Sequence, residues 1–259
     1  MCYTLITGAC GGLGKEFCRQ LAATDKLFLT GRSEDKLERL KEELLAKYPK
    51  VEILIFRADL TSEADRKALF DYADEKGIKF GGYIGVAGAD IQKAFIKYTP
   101  EKIAFQTRLN FEANIAMCHG VLLRREKDLK ILAVSSMSGS LPMPYFAIYS
   151  ATKRAVIDFY ESLRYEVKDA KITVLMPGGI PTRADIVKDI EIQGWTGKLS
   201  SKPASFVVKK ALKGLEKNKK RVIPGAFNKF VYAIEKLAPN AVKCGYVARK
   251  WKKKEKDAF

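Results

Sequence analysis

CYTLITGACGGLG, residues 2–14, decides how the rest of the chain is read. A short β-rich run passes directly into a glycine cluster, and a helical pattern then reaches about Ala23. Strand, glycine turn and helix in succession let backbone amides approach a pyrophosphate, which rests at the helix N-terminus. Gly8, Gly12 and Gly14 are spaced T-G-x-x-x-G-x-G, with Gly11 between them. A turn needing positive φ accounts for one glycine but poorly for four, so the stretch points to a bound nucleotide.

The alternation continues outward from there. Residues 26–30 (KLFLT) read as a second strand, and Leu37, Leu40, Leu44, Leu45 and Tyr48 recur at helical spacing until Pro49. Residues 51–56 form a third strand, Thr61-Ser62 cap a helix to about Lys76, and residues 82–87 form a fourth strand. A long helix after Pro100 contains Asn110 and Asn114; residues 129–134 are the fifth strand and 171–176 the sixth. Residues 180–202 lack clear periodicity and contain Gly194, Trp195 and Gly197, which suits a lid or substrate loop. A helix over about 203–217 and a seventh strand at 221–223 follow. Such alternation predicts an α/β, Rossmann-like doubly wound parallel sheet of about seven strands with helices on both faces. Ligands of such sheets bind beyond the carboxyl ends of the strands. Residues 1–225 are expected to form the dinucleotide-binding and catalytic domain, and 226–259 a basic helical C-terminal extension.

Chemistry is concentrated in VSSMSGSLPMPYFAIYSATKRA, residues 134–155. Tyr149 and Lys153 stand four apart on a helix and share a face, so a hydroxyl and an ammonium can be aimed at one molecule. The ammonium's field favours phenolate, which makes Tyr149 a usable proton donor and acceptor. Ser136, delivered from the end of the fifth strand, can bind an oxygen beside it. Alone, Tyr-x-x-x-Lys more often describes a packed tyrosine beside a solvated lysine. At the end of the second strand, Gly31 stands where a carboxylate would hold a ribose 2′-hydroxyl, and Arg32-Ser33 follow. A guanidinium and a hydroxyl there welcome a 2′-phosphate, which favours NADP over NAD.

Together these residues resemble the short-chain dehydrogenase/reductase family over roughly residues 2–225. The glycine motif, Asp59, Asn110 within Leu109-Asn110-Phe111, the Ser136/Tyr149/Lys153 set and Pro177-Gly178-Gly179-Ile180-Pro181-Thr182 occur in the family's order. The resemblance implies Asn110, Ser136, Tyr149 and Lys153 as catalytic residues, with Asn110 holding a water that resupplies protons through Lys153. It implies cofactor contacts from Gly8, Cys10, Gly11, Gly12, Leu13, Gly14, Arg32, Ser33, Asp59, Leu60, Ala87, Gly88, Tyr149, Lys153, Pro177, Gly178, Ile180 and Thr182. The family's N-N-A-G segment appears as Gly85-Val86-Ala87-Gly88, so altered local hydrogen bonding is expected, and Asn114 is an alternative to Asn110. The implied activity is NADP(H)-dependent reduction of a carbonyl, or oxidation of the matching alcohol. A non-catalytic NADP-binding sensor or scaffold is the other class. Met137, Met143, Tyr145, Phe146 and Trp195, with Leu141, suggest an apolar substrate, with a 3-oxoacyl thioester as the alternative.

Composition narrows the field. Among 259 residues there are five scattered cysteines, none in C-x-x-C spacing, and His119 is the only histidine. A disulfide framework is therefore unexpected and no metal is expected. No run of eighteen apolar residues occurs and no signal peptide is visible, so a cytoplasmic protein is expected. Of the net charge of +17, residues 198–259 hold 18 Lys+Arg against 4 Asp+Glu, a net +14, leaving +3 for the remainder. In the extension Phe227, Phe230, Val231, Ile234 and Leu237 form one helical face, Pro239 interrupts, and Arg249, Lys250, Lys252, Lys253, Lys254 and Lys256 end the chain. Three roles are open for it: packing on the domain or on a sister subunit of a homodimer or homotetramer, contact with an anionic membrane surface, and attraction of an acidic substrate or carrier. No base-reading module accompanies the charge, so specific nucleic-acid binding is not expected.

Overall fold

Neighbouring residues on a strand face opposite ways, and in this protein both ways lead into a core. The structure, a computed structural model, describes residues 2–192, 194–235 and 237–252. Strands β1 (Cys2–Thr7), β2 (Leu27–Gly31), β3 (Ile53–Arg57), β4 (Lys79–Gly85), β5 (Arg125–Val134), β6 (Lys171–Leu175) and β7 (Arg221–Val222) form one parallel sheet in the order β3-β2-β1-β4-β5-β6-β7. Leu5, Phe28, Tyr83, Ile131 and Val174 point into one apolar cluster. Their neighbours Ile6, Leu29, Ile84, Leu132 and Leu175 point into the other. Continuous apolar strands are what two-sided burial demands.

Each cluster is roofed by helices. Helices α1 (Gly12–Leu21), α2 (Glu34–Lys47) and α9 (Ala204–Glu216) supply Phe17, Leu37, Leu40, Leu44, Val207, Val208 and Leu215 to one side. Helices α3 (Glu63–Glu75), α5 (Ala113–Leu123) and α6 (Ala147–Glu166) supply Leu69, Phe70, Met117, Val121, Val156, Ile157 and Tyr160 to the other. Ser33 and Ser62 cap α2 and α3 by accepting hydrogen bonds from the backbone N–H groups of Lys36 and Asp65. Helix α4 (Pro100–Thr107) runs into α5 through a wide π-turn, Arg108–Glu112, which carries Asn110. From β1 the chain winds outward to β3 and then returns to place β4 on β1's other side. The winding reverses at this point, and a crevice opens beyond the ends of β1 and β4.

Two parts differ from the sequence reading. Residues 180–202 are mostly helical, with α7 (Ala184–Ile192) and α8 (Gly194–Ser200). Their periodicity is hard to see because, among the described side chains, each turns only two inward, Ile186 and Ile190 or Thr196 and Ser200, and these line a cavity rather than the core. The extension is two helices, α10 (Ala226–Glu235) and α11 (Asn240–Trp251), separated at Pro239. Its expected apolar face is split. Phe227 and Val231 line the cavity, while Phe230 and Leu237 are 61% and 84% exposed. Arg249, Lys250 and Lys252 lie at the end of α11; Lys253, Lys254 and Lys256 fall outside the described residues.

Candidate functional site

The glycine turn connects β1 to α1 at the crevice. Gly8 has φ +63°, and a Cβ there would lie 3.0 Å from the Ala87 backbone, so only glycine fits without strain. A Cβ at Gly14 would collide with the Gly8 carbonyl, and one at Gly12 with the Thr182 side chain. Gly11 caps α1 in an extended conformation with no side-chain hydrogen bond, which leaves the first helical amides directed at whatever occupies the turn. This cradle fits the pyrophosphate of a dinucleotide.

At the end of β2, Cys10 Sγ approaches Gly31, and a Cβ there would lie 3.7 Å from it. Arg32 is exposed, with its guanidinium 6.0 Å from the centre of the Phe105 ring, while the Ser33 oxygen is engaged as the α2 cap. Lys15 and Lys36 are close enough to oppose the burial that raises the Cys10 thiol pKa. Neither lysine has a signature in the sequence, because solvated lysines gain one only when the fold gathers them. Asp59 accepts from the backbone N–H and hydroxyl of Thr61, and Leu60 beside it is buried.

Asn110 is fully buried and grips Ala89 at both backbone atoms, accepting from its N–H at 2.7 Å and donating to its carbonyl at 2.9 Å. Its amide nitrogen lies 3.3 Å from the Thr152 hydroxyl. The side chain therefore braces the exit of β4. Asn114 instead accepts from the Tyr160 hydroxyl at 2.6 Å, deep in the core. In the segment that lacks the family asparagine, Thr7 Oγ1 accepts from the backbone N–H groups of Val86 at 3.1 Å and Ala87 at 3.3 Å.

Helix α6 is fastened to the end of β5. Ser135 donates to the Lys153 carbonyl at 2.7 Å, and the Lys153 ammonium donates to the Val134 carbonyl at 2.9 Å. Gly139 lets the chain lie against the Lys153 backbone, where a Cβ would sit 2.8 Å from its carbonyl carbon. Lys153 is 3% exposed, and burial pushes its pKa down to about 8 while Asp90 acts in the other direction. The Lys153 nitrogen is 5.7 Å from the centre of the Tyr149 ring. Burial raises the Tyr149 phenol, Asp90 raises it further, and a hydrogen bond with Ser136 and the charge of Arg183 act against both. Desolvation, rather than the ammonium's field, is thus the main influence on the phenol in this structure.

Ser136, Tyr149 and Lys153 all face one cavity of about 590 Å³. Met137, Leu141, Met143 and Phe146 form one of its walls, and Ile186, Ile190, Phe227, Val231 and Trp251 extend the apolar lining. Phe146 stacks on Tyr149 at 4.3 Å and on Trp251 at 6.3 Å. Trp195 and Tyr145 lie outside this lining. On α8 the inward side chains are Thr196 and Ser200, so Trp195, one residue earlier, is turned away; it is 70% exposed and meets Phe227 edge-on. Tyr145 has a left-handed backbone, φ 64°, at the turn that brings Phe146 inward instead. Spacing by four is the signal that would have found Ile186/Ile190, Phe227/Val231 and Tyr246/Lys250. His119 is exposed on α5.

A family model described as short chain dehydrogenase matches residues 3–191. The chain is 28% identical over 243 residues to 11-beta-hydroxysteroid dehydrogenase-like 2 of Arabidopsis thaliana, covering 92% of this chain and 78% of that protein. It spans from 50% to 79% of the length of such curated relatives. A 7beta-hydroxysteroid dehydrogenase structure solved to study stereoselectivity superposes with a TM-score of 0.84 at 24% identity, covering 95% of this chain and 96% of that one. A short-chain dehydrogenase from Sphingobium yanoikuyae in complex with NADPH superposes with a TM-score of 0.76 at 23% identity over 100% of both chains. At such identities the superpositions establish the fold.

The Thr7 brace is testable by itself. Thr7→Val keeps the shape but leaves two amides without their acceptor, which should destabilise the fold by about 1–3 kcal/mol. Urea unfolding should read that loss, and hydrogen exchange at Val86 and Ala87 should quicken.

Proposed function

Because the chain belongs to the short-chain dehydrogenase/reductase family, whose members use NAD(P)(H), we propose that it is an NADP(H)-dependent oxidoreductase acting on the carbonyl or secondary alcohol of an apolar molecule. The observation that carries the reading is the convergence of Ser136, Tyr149 and Lys153 on one largely apolar cavity next to the glycine turn. When bound, the cofactor supplies or accepts hydride at the substrate carbon. Tyr149 gives the substrate oxygen its proton, or removes it in the reverse direction. Ser136 holds that oxygen, and Lys153 carries positive charge beneath the phenol. The cradle formed by Gly8, Gly12 and Gly14 would hold the pyrophosphate, and Thr182 and Ile180 the nicotinamide end. Arg32, with Lys15 and Lys36 nearby, supports NADP over NAD.

Met137, Met143, Phe146, Phe227 and Trp251 support a bulky apolar substrate, and the hydroxysteroid dehydrogenase relatives point the same way. For the C-terminal helices, exposed Phe230, Ile234 and Leu237 support a contact between subunits of a homodimer or homotetramer. Exposed Lys229, Arg249 and Lys252 support peripheral contact of a cytoplasmic protein with an anionic membrane surface. No described helix is long and apolar enough to cross a membrane.

A ketone screen with NADPH, including steroid ketones and a 3-oxoacyl thioester, tests the reading by loss of NADPH absorbance. Tyr149→Phe should lower turnover at least a thousandfold, on the order of the contribution of general acid catalysis, with NADPH affinity nearly intact. Turnover that survives the change overturns the assignment of Tyr149, and no turnover with any ketone favours a sensor or scaffold. Arg32→Asp should shift preference from NADPH towards NADH by roughly tenfold or more, through loss of a charge-assisted phosphate contact; an unchanged ratio removes Arg32's role. The pH dependence has a definite sign. Burial favours neutral Lys153, so its ammonium is present below about pH 8 and lost above it. The kcat/KM for NADPH, which reports the free enzyme, should therefore fall as pH rises through that value, and a profile level to pH 10 contradicts the role given to Lys153.

A further inference from the structure

We propose that the Asp90–Arg183 ion pair is a latch across the nicotinamide end of the cofactor cleft, with Arg183 as a positioning residue for cofactor retention. The inference rests on reading the glycine turn and Thr182 as the seat of a nicotinamide cofactor. Asp90 lies five residues beyond β4, and Arg183 eight beyond β6. These strands are not neighbours: β5 runs between them, so their ends are roughly 10 Å apart. The Arg183 Nη2 nonetheless donates to Asp90 Oδ1 at 2.8 Å. The bridge passes over the end of β5, where Ser136 emerges and Tyr149 is docked.

Both ends of the bridge are prepared. Ala89, immediately before Asp90, is clamped at both backbone atoms by Asn110, which fixes the Asp90 side. On the other side, Asp185 accepts from Arg183 Nε and Nη2, both at 3.0 Å, and orients the guanidinium from within its own segment. Thr182 rests against Gly12 of the glycine turn so closely that a Cβ there would collide with it. The segment after β6 is thereby held down at adjacent residues, by contact at Thr182 and by charge at Arg183. A dinucleotide held on the glycine turn with its nicotinamide towards Tyr149 would lie against this segment, and on this proposal its arrival and release would require the segment to lift. The pair also keeps an arginine against the carboxylate that shares the cavity wall with Tyr149 and Lys153.

The experiment uses the full chain. NADPH release is followed by stopped-flow fluorescence after displacement with excess NADP, for wild type, Asp90→Asn, Arg183→Met and the charge-swapped double variant Asp90→Arg/Arg183→Asp. Arg183 and Asp90 are 38% and 24% exposed at their side chains, so the effect is scaled to a partly solvated pair. Each single variant should release NADPH about fivefold faster and raise its KM by a similar factor, with kcat changing less, while the swapped pair recovers at least half of the lost retention time. Thermal melting checks the fold, and the nearly isosteric Asp90→Asn decides alone if Arg183→Met does not fold. Wild type that binds neither NADPH nor NADH overturns the cofactor reading, and the latch with it. Wild type that binds, with single variants releasing at its rate, overturns the latch alone. Singles that release faster with no recovery in the swap also overturn it, since a packing role gains nothing from restored charge.

Discussion

A parallel sheet of seven strands must be covered on both faces, and this requirement arranges everything else in the protein. Each crossover carries the chain over a face and back to the same edge, so the loops that leave the strands gather at their carboxyl ends. The glycine turn, Arg32, Asp59, Gly88, Ser136 and Thr182 are separated by tens of residues, yet they share one rim for this reason. Because the winding reverses between β1 and β4, the rim opens there into a crevice instead of closing over.

A rim made of loops must then be stiffened if it is to hold side chains for chemistry. Buried polar groups do this at three successive strands. Thr7 ties the exit of β1 to Val86 and Ala87, Asn110 ties Ala89 to the π-turn, and Ser135 and Lys153 tie the exit of β5 to α6. The bonds of Asn110, Ser135 and Lys153 join buried groups, where an unmatched partner costs about 1–3 kcal/mol, and those of Thr7 are partly buried. The geometry around Tyr149 is consequently shared among three helical or strand exits. Burying Lys153 to hold α6 also lowers its pKa, so the same contact that fixes position tunes protonation.

Much of this was legible in sequence. The glycine spacing, the Tyr-x-x-x-Lys on a helix and the strand–helix alternation are local patterns, set by neighbours within a few residues. Strand bounds moved by a few residues, as expected where hydrogen bonding rather than composition decides the ends. Asn110 stood out only through resemblance, and its grip on Ala89 depends on a contact 21 residues distant. Residues 180–202 looked irregular because α7 and α8 face a cavity with two side chains each, too few to produce a stripe. Trp195 drew attention for its size, but size does not say which way a helix turns.

By itself the sequence determined the class of fold, the order of the elements and the three residues facing the cavity, since all of these follow from periodicity, turn chemistry and short spacings. Only the tertiary structure decided which distant groups share a space. It joined Arg183 to Asp90 over the end of β5, moved Asn114 into the core and set Phe146, rather than Tyr145, against the Tyr149 ring. It also made burial the first influence on Tyr149. The reason is physical: contact across the chain and removal from water are properties of the packed molecule, and no short stretch of residues carries them.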